Sequence, residues 1–179
     1  MDSRELLIQG IGFLGVLMFI ISYQLKSNRA LFVFQSLGSG LFCLQFFIMG
    51  QFSGSFSLMV NIFRNLLLLL SGRRPWARWR GWLPICLGLC LAILIFTWKG
   101  PLSLLPFLSI TVSTVLYWTN NAQRIRLANL VCASPSWLLY DIIIGSWGGV
   151  LTELFTLGSI LISIYRYGWK ALGENRFGD

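Results

Sequence analysis

Three ionisable side chains, Arg64, Asp141 and Glu153, stand inside long apolar runs of this 179-residue chain. An ionisable group at bilayer depth costs about 3 kcal/mol or more, so it normally faces a bundle interior or a water-filled cavity. Asn61 precedes Arg64 by three residues, and Thr156 follows Glu153 by three. On a helix each pair shares a face, and the two faces could line one polar seam. Several chemistries are open to such a seam: a structural ion pair, Arg64 snorkelling to the headgroups, or Glu153 acting as a proton-coupling carboxylate. Asp141 lies near the end of its run and can reach interfacial water. Catalysis is not expected. The chain has no His, no nucleophile beside a recognisable base, and no metal-ligand spacing. Cys43, Cys86, Cys90 and Cys132 all lie within apolar runs and read as packing residues. No cofactor is expected.

The elements that must position these groups are membrane spans. Hydrophobic residues make up 56% of the chain and charged residues 11%, against roughly 25% charged in soluble domains. A spanning helix needs about 20 predominantly apolar residues. Seven segments meet or approach this: Leu6 to Leu25, Leu31 to Met49, Phe52 to Leu70, Trp82 to Trp98, Leu102 to Trp118, Leu127 to Ile144 and Gly149 to Tyr165. The first ends in Tyr23-Gln24-Leu25-Lys26, which is no small-residue cleavage site, so it reads as a span and not a signal peptide. The breaks carry charge or turn chemistry, as in Lys26-Ser27-Asn28-Arg29, the run Ser71 to Gly81, Lys99-Gly100-Pro101 and Thr119 to Arg126. Gly50-Gln51 and Gly145 to Gly148 are short enough to make tight antiparallel hairpins.

Basic residues set the orientation. Placing the N-terminus outside gathers Lys26, Arg29, Arg73, Arg74, Arg78, Arg80, Arg124, Arg126, Arg166, Lys170 and Arg176 on the cytoplasmic side, leaving Arg4 and Lys99 opposite. The positive-inside rule then predicts N-terminus out and C-terminus cytoplasmic. Trp82, Trp98, Trp118 and Trp147 fall at span ends, where indole rings favour the headgroup level. The net charge of +8 invites a nucleic-acid reading. Its residues sit in short loops instead, and Arg73, Arg74, Arg78 and Arg80 with Trp76 and Trp79 read as a juxtamembrane loop on anionic lipid.

An internal repeat organises the spans. At an offset of 95 residues Arg29 meets Arg124, Ser39 meets Ser134, Gly50 meets Gly145, Phe52 meets Trp147, Gly54 meets Gly149 and Ser57 meets Thr152. Gly and Arg matches at loop positions owe nothing to apolar bias. Helices one to three therefore correspond to five to seven, and the fourth restores parallel orientation. The expected fold is an all-α membrane protein: two parallel three-helix bundles, residues 1–72 and 101–168, joined by a basic loop and linker helix, residues 73–100, with a tail at 169–179. Transporter sites lie at such repeat interfaces, near the midplane. Gly10, Gly12 and Gly15 of the first helix are read as a close-packing face.

This three-plus-one-plus-three plan resembles the SWEET and PQ-loop superfamily of small-solute transporters. More closely, the chain is similar to the YgjV family of bacterial inner membrane proteins over nearly all of its length. The most specific stretches are Phe56 to Leu70 with Asn61-Ile62-Phe63-Arg64, Leu104-Leu105-Pro106 through Ser113-Thr114, and Gly145-Ser146-Trp147-Gly148-Gly149 followed by Glu153. The resemblance implies a bacterial inner-membrane location and a central pocket for a small polar, sugar-like solute. It places Asn61 and Thr156 on the third helix of each bundle, with aromatic Phe42 and Trp137 on the second, as substrate-binding positions. Asn61 and Thr156 could instead simply join helices by hydrogen bonds. The proline of the PQ dipeptide is missing at Tyr23-Gln24. Of the kinking prolines that gate such transporters, Pro135 is present in helix six, while its repeat partner is Gly40. The expected partners are the lipid bilayer and a small polar solute, with a second copy of the chain a further candidate. A non-transporting interaction or regulatory role on the same scaffold is the alternative.

Overall fold

The computed structural model describes residues 3–24, 28–71, 74–119 and 122–167, and it is all-helical. Seven helices follow in order. They are α1 (Ser3–Gln24), α2 (Asn28–Ile48), α3 (Phe52–Ser71), α4 (Trp82–Phe96), α5 (Leu104–Trp118), α6 (residues 122–144) and α7 (Trp147–Tyr167). Short 3₁₀ turns at Pro75–Arg78 and Pro101–Ser103 lead into α4 and α5. Of the residues used for orientation, Lys26, Arg73, Lys170 and Arg176 lie outside the described residues, as does the tail 169–179.

Among the described residues four helices are long and apolar enough to cross a membrane, and three shorter apolar stretches, Val33–Ile48, Trp82–Phe96 and Trp147–Ile162, accompany them. At 15 residues, α4 spans only about 22 Å at 1.5 Å per residue, short of a hydrocarbon core of about 30 Å. Burial runs opposite to that of a soluble protein. Ser22, Gln45 and Thr114 are fully buried, whereas Ile95 is 65% and Phe96 87% exposed. Apolar side chains face outward because lipid solvates them, and polar groups turn inward because lipid offers them no hydrogen bond.

Neighbouring helices close a ring. α1 packs on α2, α2 on α3, α3 on α5, α5 on α6, α6 on α7, and α7 returns to α1. α4 sits against α3 and α5, where Cys86 and Cys90 pack with Val60, Leu67 and Ile110. A second core joins Val16, Phe42, Phe46, Leu58 and Tyr140 of α1, α2, α3 and α6. Glycine allows the closest approaches. A Cβ at Gly148 would lie 2.7 Å from the Gly12 carbonyl carbon, so α1 and α7 meet backbone to backbone. Gly12 and Gly15 also face Gln45 and Phe42 of α2. Gly10 departs from the expected packing face, with nothing within 4 Å of its Cβ position.

The two tight hairpins are built alike. Gly50 and Gly145 adopt the left-handed conformation, at φ 73° and 75°. In each case the residue after the glycine donates its N–H to the carbonyl five positions back, Gln51 to Phe46 at 2.8 Å and Ser146 to Asp141 at 2.9 Å. This satisfies carbonyls that a helix end leaves open. Both hairpins lie at the same end of the bundle as the start of α1. The Arg4 guanidinium donates to Ile48 O at 3.4 Å, Gln9 Nε2 to Gly145 O at 2.8 Å, and Lys99 Nζ to Gly50 O at 2.8 Å.

One expected break is corrected. Thr119 to Arg126 reads from sequence as a loop, but α6 is already helical over Ala122–Ala128. Those residues include no Gly or Pro, and Ala, Gln, Arg and Leu are strong helix formers. α6 then widens into a π turn at Asn129–Ala133 before resuming as Ser134–Ile144.

Candidate functional site

The ring surrounds a half-open cavity of about 120 Å³, room for roughly ten waters at 10–15 Å³ each. α3 supplies its most densely bonded group. Asn61 and Arg64 share a helix face, as the spacing predicts, and Asn65 stands beside them. Arg64 is 3% exposed. Its Nη2 donates to Asn61 Oδ1 at 2.5 Å and to Asn65 Oδ1 at 3.1 Å. Its Nη1 donates to Ser113 Oγ at 3.0 Å and to Thr114 Oγ1 at 3.4 Å, both on α5. The guanidinium also lies over the Tyr117 ring, 4.3 Å from its centroid, a favourable cation–π arrangement. Every one of these partners is neutral. Arg64 neither pairs with Glu153 nor snorkels outward, because α5 offers hydroxyls and a ring at the level its side chain reaches. Its Nε–H is buried without a partner.

α6 and α7 bring the carboxylates. Asp141 is 2% exposed, and its Oδ1 is buried without a hydrogen bond. Interfacial water is therefore not what it faces; its side chain turns into the cavity. Gly149 makes this placement feasible, since a Cβ there would run into the Asp141 carboxylate. Glu153 lines the same part of the cavity, close enough to Asp141 for their charges to interact, with Ser134 beside it.

The cavity wall includes Asn61, Thr156, Trp137 and Phe42, the four positions read as substrate-binding, together with Arg64, Asp141 and Glu153. Phe42 is buried under Gly15 and packs near Phe19 and Phe46 at ring separations of about 6 Å. Trp137 stacks on Phe46 and meets Tyr140 edge-on. The Thr156 hydroxyl donates back to Thr152 O at 2.9 Å, within its own helix. Gly40 and Pro135 are not part of the wall. α2 passes through Gly40 as unbroken helix. Pro135 follows directly on the π turn of α6, where Ser134 N–H bonds Asn129 O and Ser109 Oγ donates to Ala133 O at 3.2 Å. A proline deprives the carbonyl four residues back of its donor, and π turns often accompany functional sites.

Sequence reasoning missed the cradle of Arg64: Asn65, Ser113, Thr114 and Tyr117. A signal was present. Ser109 and Ser113 recur at helical spacing in an apolar span, and a polar stripe on a membrane helix marks an interior face. Nothing in the spacing said which charge that face would serve.

A family model described as Imp-YgjV, bacterial inner membrane protein, matches residues 6–170. No curated protein and no solved structure matches the chain.

Proposed function

We propose that this chain, which belongs to the Imp-YgjV family of bacterial inner membrane proteins, carries a small polar solute across that membrane by alternating access. The observation that carries the reading is the cavity itself. It lies among α1–α3 and α5–α7, is lined by Asn61, Arg64, Asp141 and Glu153, and so keeps polar groups where lipid could not solvate them. The reading takes the two sets of three helices as parallel repeats of the SWEET-like kind. Their matching hairpin caps support it. So does the ring order, in which α3 on α5 mirrors α7 on α1. On this reading the N-terminus is outside and the C-terminus cytoplasmic, from the distribution of Lys and Arg. The π turn beside Pro135 serves as the yielding point of the second bundle.

The test is counterflow uptake in proteoliposomes against a panel of sugars, polyols and amino acids, comparing wild type with Asn61→Ala. Saturable uptake that the substitution abolishes is the expected result. Absence of uptake for every solute, from protein shown to be folded and inserted, would turn the assignment to a non-transporting membrane interaction role.

A further inference from the structure

The cavity has two chemically opposite poles. At the Arg64 pole the charge is positive, and the amide and guanidinium hydrogens left over there are donors. Asn61 and Asn65 both use Oδ1 to accept from Arg64, which leaves each with its Nδ2 hydrogens, while Arg64 Nε–H is buried and unpartnered. At the other pole the outlets are acceptors. Asp141 Oδ1 is buried and unpartnered, and Glu153 stands near it; carboxylates accept, and a cation drawn between two such neighbours is what lets both be ionised together.

The poles are separated in depth. Both hairpins mark one end of the bundle, α3 beginning at Phe52 and α7 at Trp147. At 1.5 Å per residue, Arg64 lies about 18 Å from that end and Glu153 about 9 Å. Asp141, four residues before Gly145 on α6, is nearer still. The backbone levels of Arg64 and Glu153 thus differ by about 9 Å, and the Cα–Cβ bonds of α3 and α7 both tilt toward their helix starts. Two charge-assisted hydrogen bonds of about 2.8 Å each and a few solute atoms bridge such a gap.

We infer that the cavity takes a small zwitterion of the amino-acid class, its carboxylate toward Arg64 and its ammonium toward Asp141 and Glu153. This rests on the transport reading above and narrows it. A neutral sugar would leave both poles without a counter-charge in a low-dielectric interior. A simple anion or a simple amine would answer one pole and leave the other. A solute carrying both charges answers both at once, and each of its charges gains a counter-charge that offsets the cost of leaving water.

The experiment uses the full chain in proteoliposomes, with counterflow of radiolabelled alanine, serine, proline and leucine measured beside labelled glucose and glycerol. At least one amino acid should exchange saturably. Its N-acetyl derivative, lacking the ammonium, and its methyl ester, lacking the carboxylate, should each compete about tenfold or more weakly, the loss of one charge-assisted bond. Asp141→Asn should erase discrimination against the N-acetyl derivative while keeping that against the ester, and Arg64→Gln should do the reverse. Should Arg64→Gln fail to fold, the derivative series on wild type and Asp141→Asn still decide the matter. Exchange of glucose or glycerol with no amino-acid exchange overturns the inference and leaves the transport reading standing, as does competition by both derivatives as strong as that of the parent amino acid. No exchange of any solute overturns both.

Discussion

Helices α1–α3 and α5–α7 differ most where they face each other. Their turns agree: Gly50 and Gly145 share one left-handed geometry and one pattern of capping bonds. Their cavity faces diverge. α3 presents a cation, Arg64, held by neutral acceptors, while α6 and α7 present the carboxylates of Asp141 and Glu153. Asn61 and Thr156, 95 residues apart, are not equivalent either, for Asn61 is locked to Arg64 and Thr156 to its own backbone. α2 is regular through Gly40, whereas α6 is opened by a π turn before Pro135. The lesson is that backbone geometry at a turn tolerates few alternatives, whereas side chains lining an enclosed space can change as long as the partners around them change too.

The comparison is broken most severely at its charges. Arg64→Ala takes the donor from two buried oxygens, Asn65 Oδ1 and Thr114 Oγ1, and from Asn61 Oδ1 and Ser113 Oγ beside them, and at about 1–3 kcal/mol for each unsatisfied buried group it should destabilise the protein by about 3 kcal/mol. Thermal unfolding in detergent reads this directly. Asp141→Asn keeps shape and volume and removes a charge that has no partner at Oδ1, so its melting temperature should equal or exceed wild type. Equal losses for the two variants would deny that the poles differ. Next in size is the contact between the halves. Gly148→Ala drives a methyl into the backbone of Gly12, a strain of about 1–3 kcal/mol, while Gly10→Ala, with open space around it, should change stability by less than about 0.5 kcal/mol. Smallest is the effect at the shared turns. Gly50→Ala and Gly145→Ala each force a Cβ into the left-handed region at about 1–2 kcal/mol, and the two melting shifts should match. A marked inequality would show that the hairpins, alike in conformation, differ in the load they carry.

Much of the fold was legible before any coordinates. Seven helices, their tight hairpins at Gly50 and Gly145, and tryptophans at the helix ends such as Trp118 and Trp147 follow from apolar length, glycine and ring chemistry alone. Where the expectation failed, at Thr119 to Arg126, charge was read as a break although helix propensity ran through it. The site was half legible. That Arg64, Asp141 and Glu153 avoid lipid follows from the cost of placing charge there; that all three line the cavity, where the sequence also left Arg64 a route to the headgroups and Asp141 one to interfacial water, came from the packing.

The sequence alone thus determined that this is a multi-pass membrane protein with buried charges, because the bilayer acts on each residue according to its own chemistry and depth. Who meets whom was decided only by the tertiary structure. Ser113, Thr114 and Tyr117 reach Arg64 because α5 lies against α3, and Asp141 and Glu153 meet because Gly149 lets α7 close on α6. A pairing between helices depends on their relative rotation and height, which no single segment encodes. That is why the polar seam that Arg64 and Glu153 could line is a cavity wall they share without pairing.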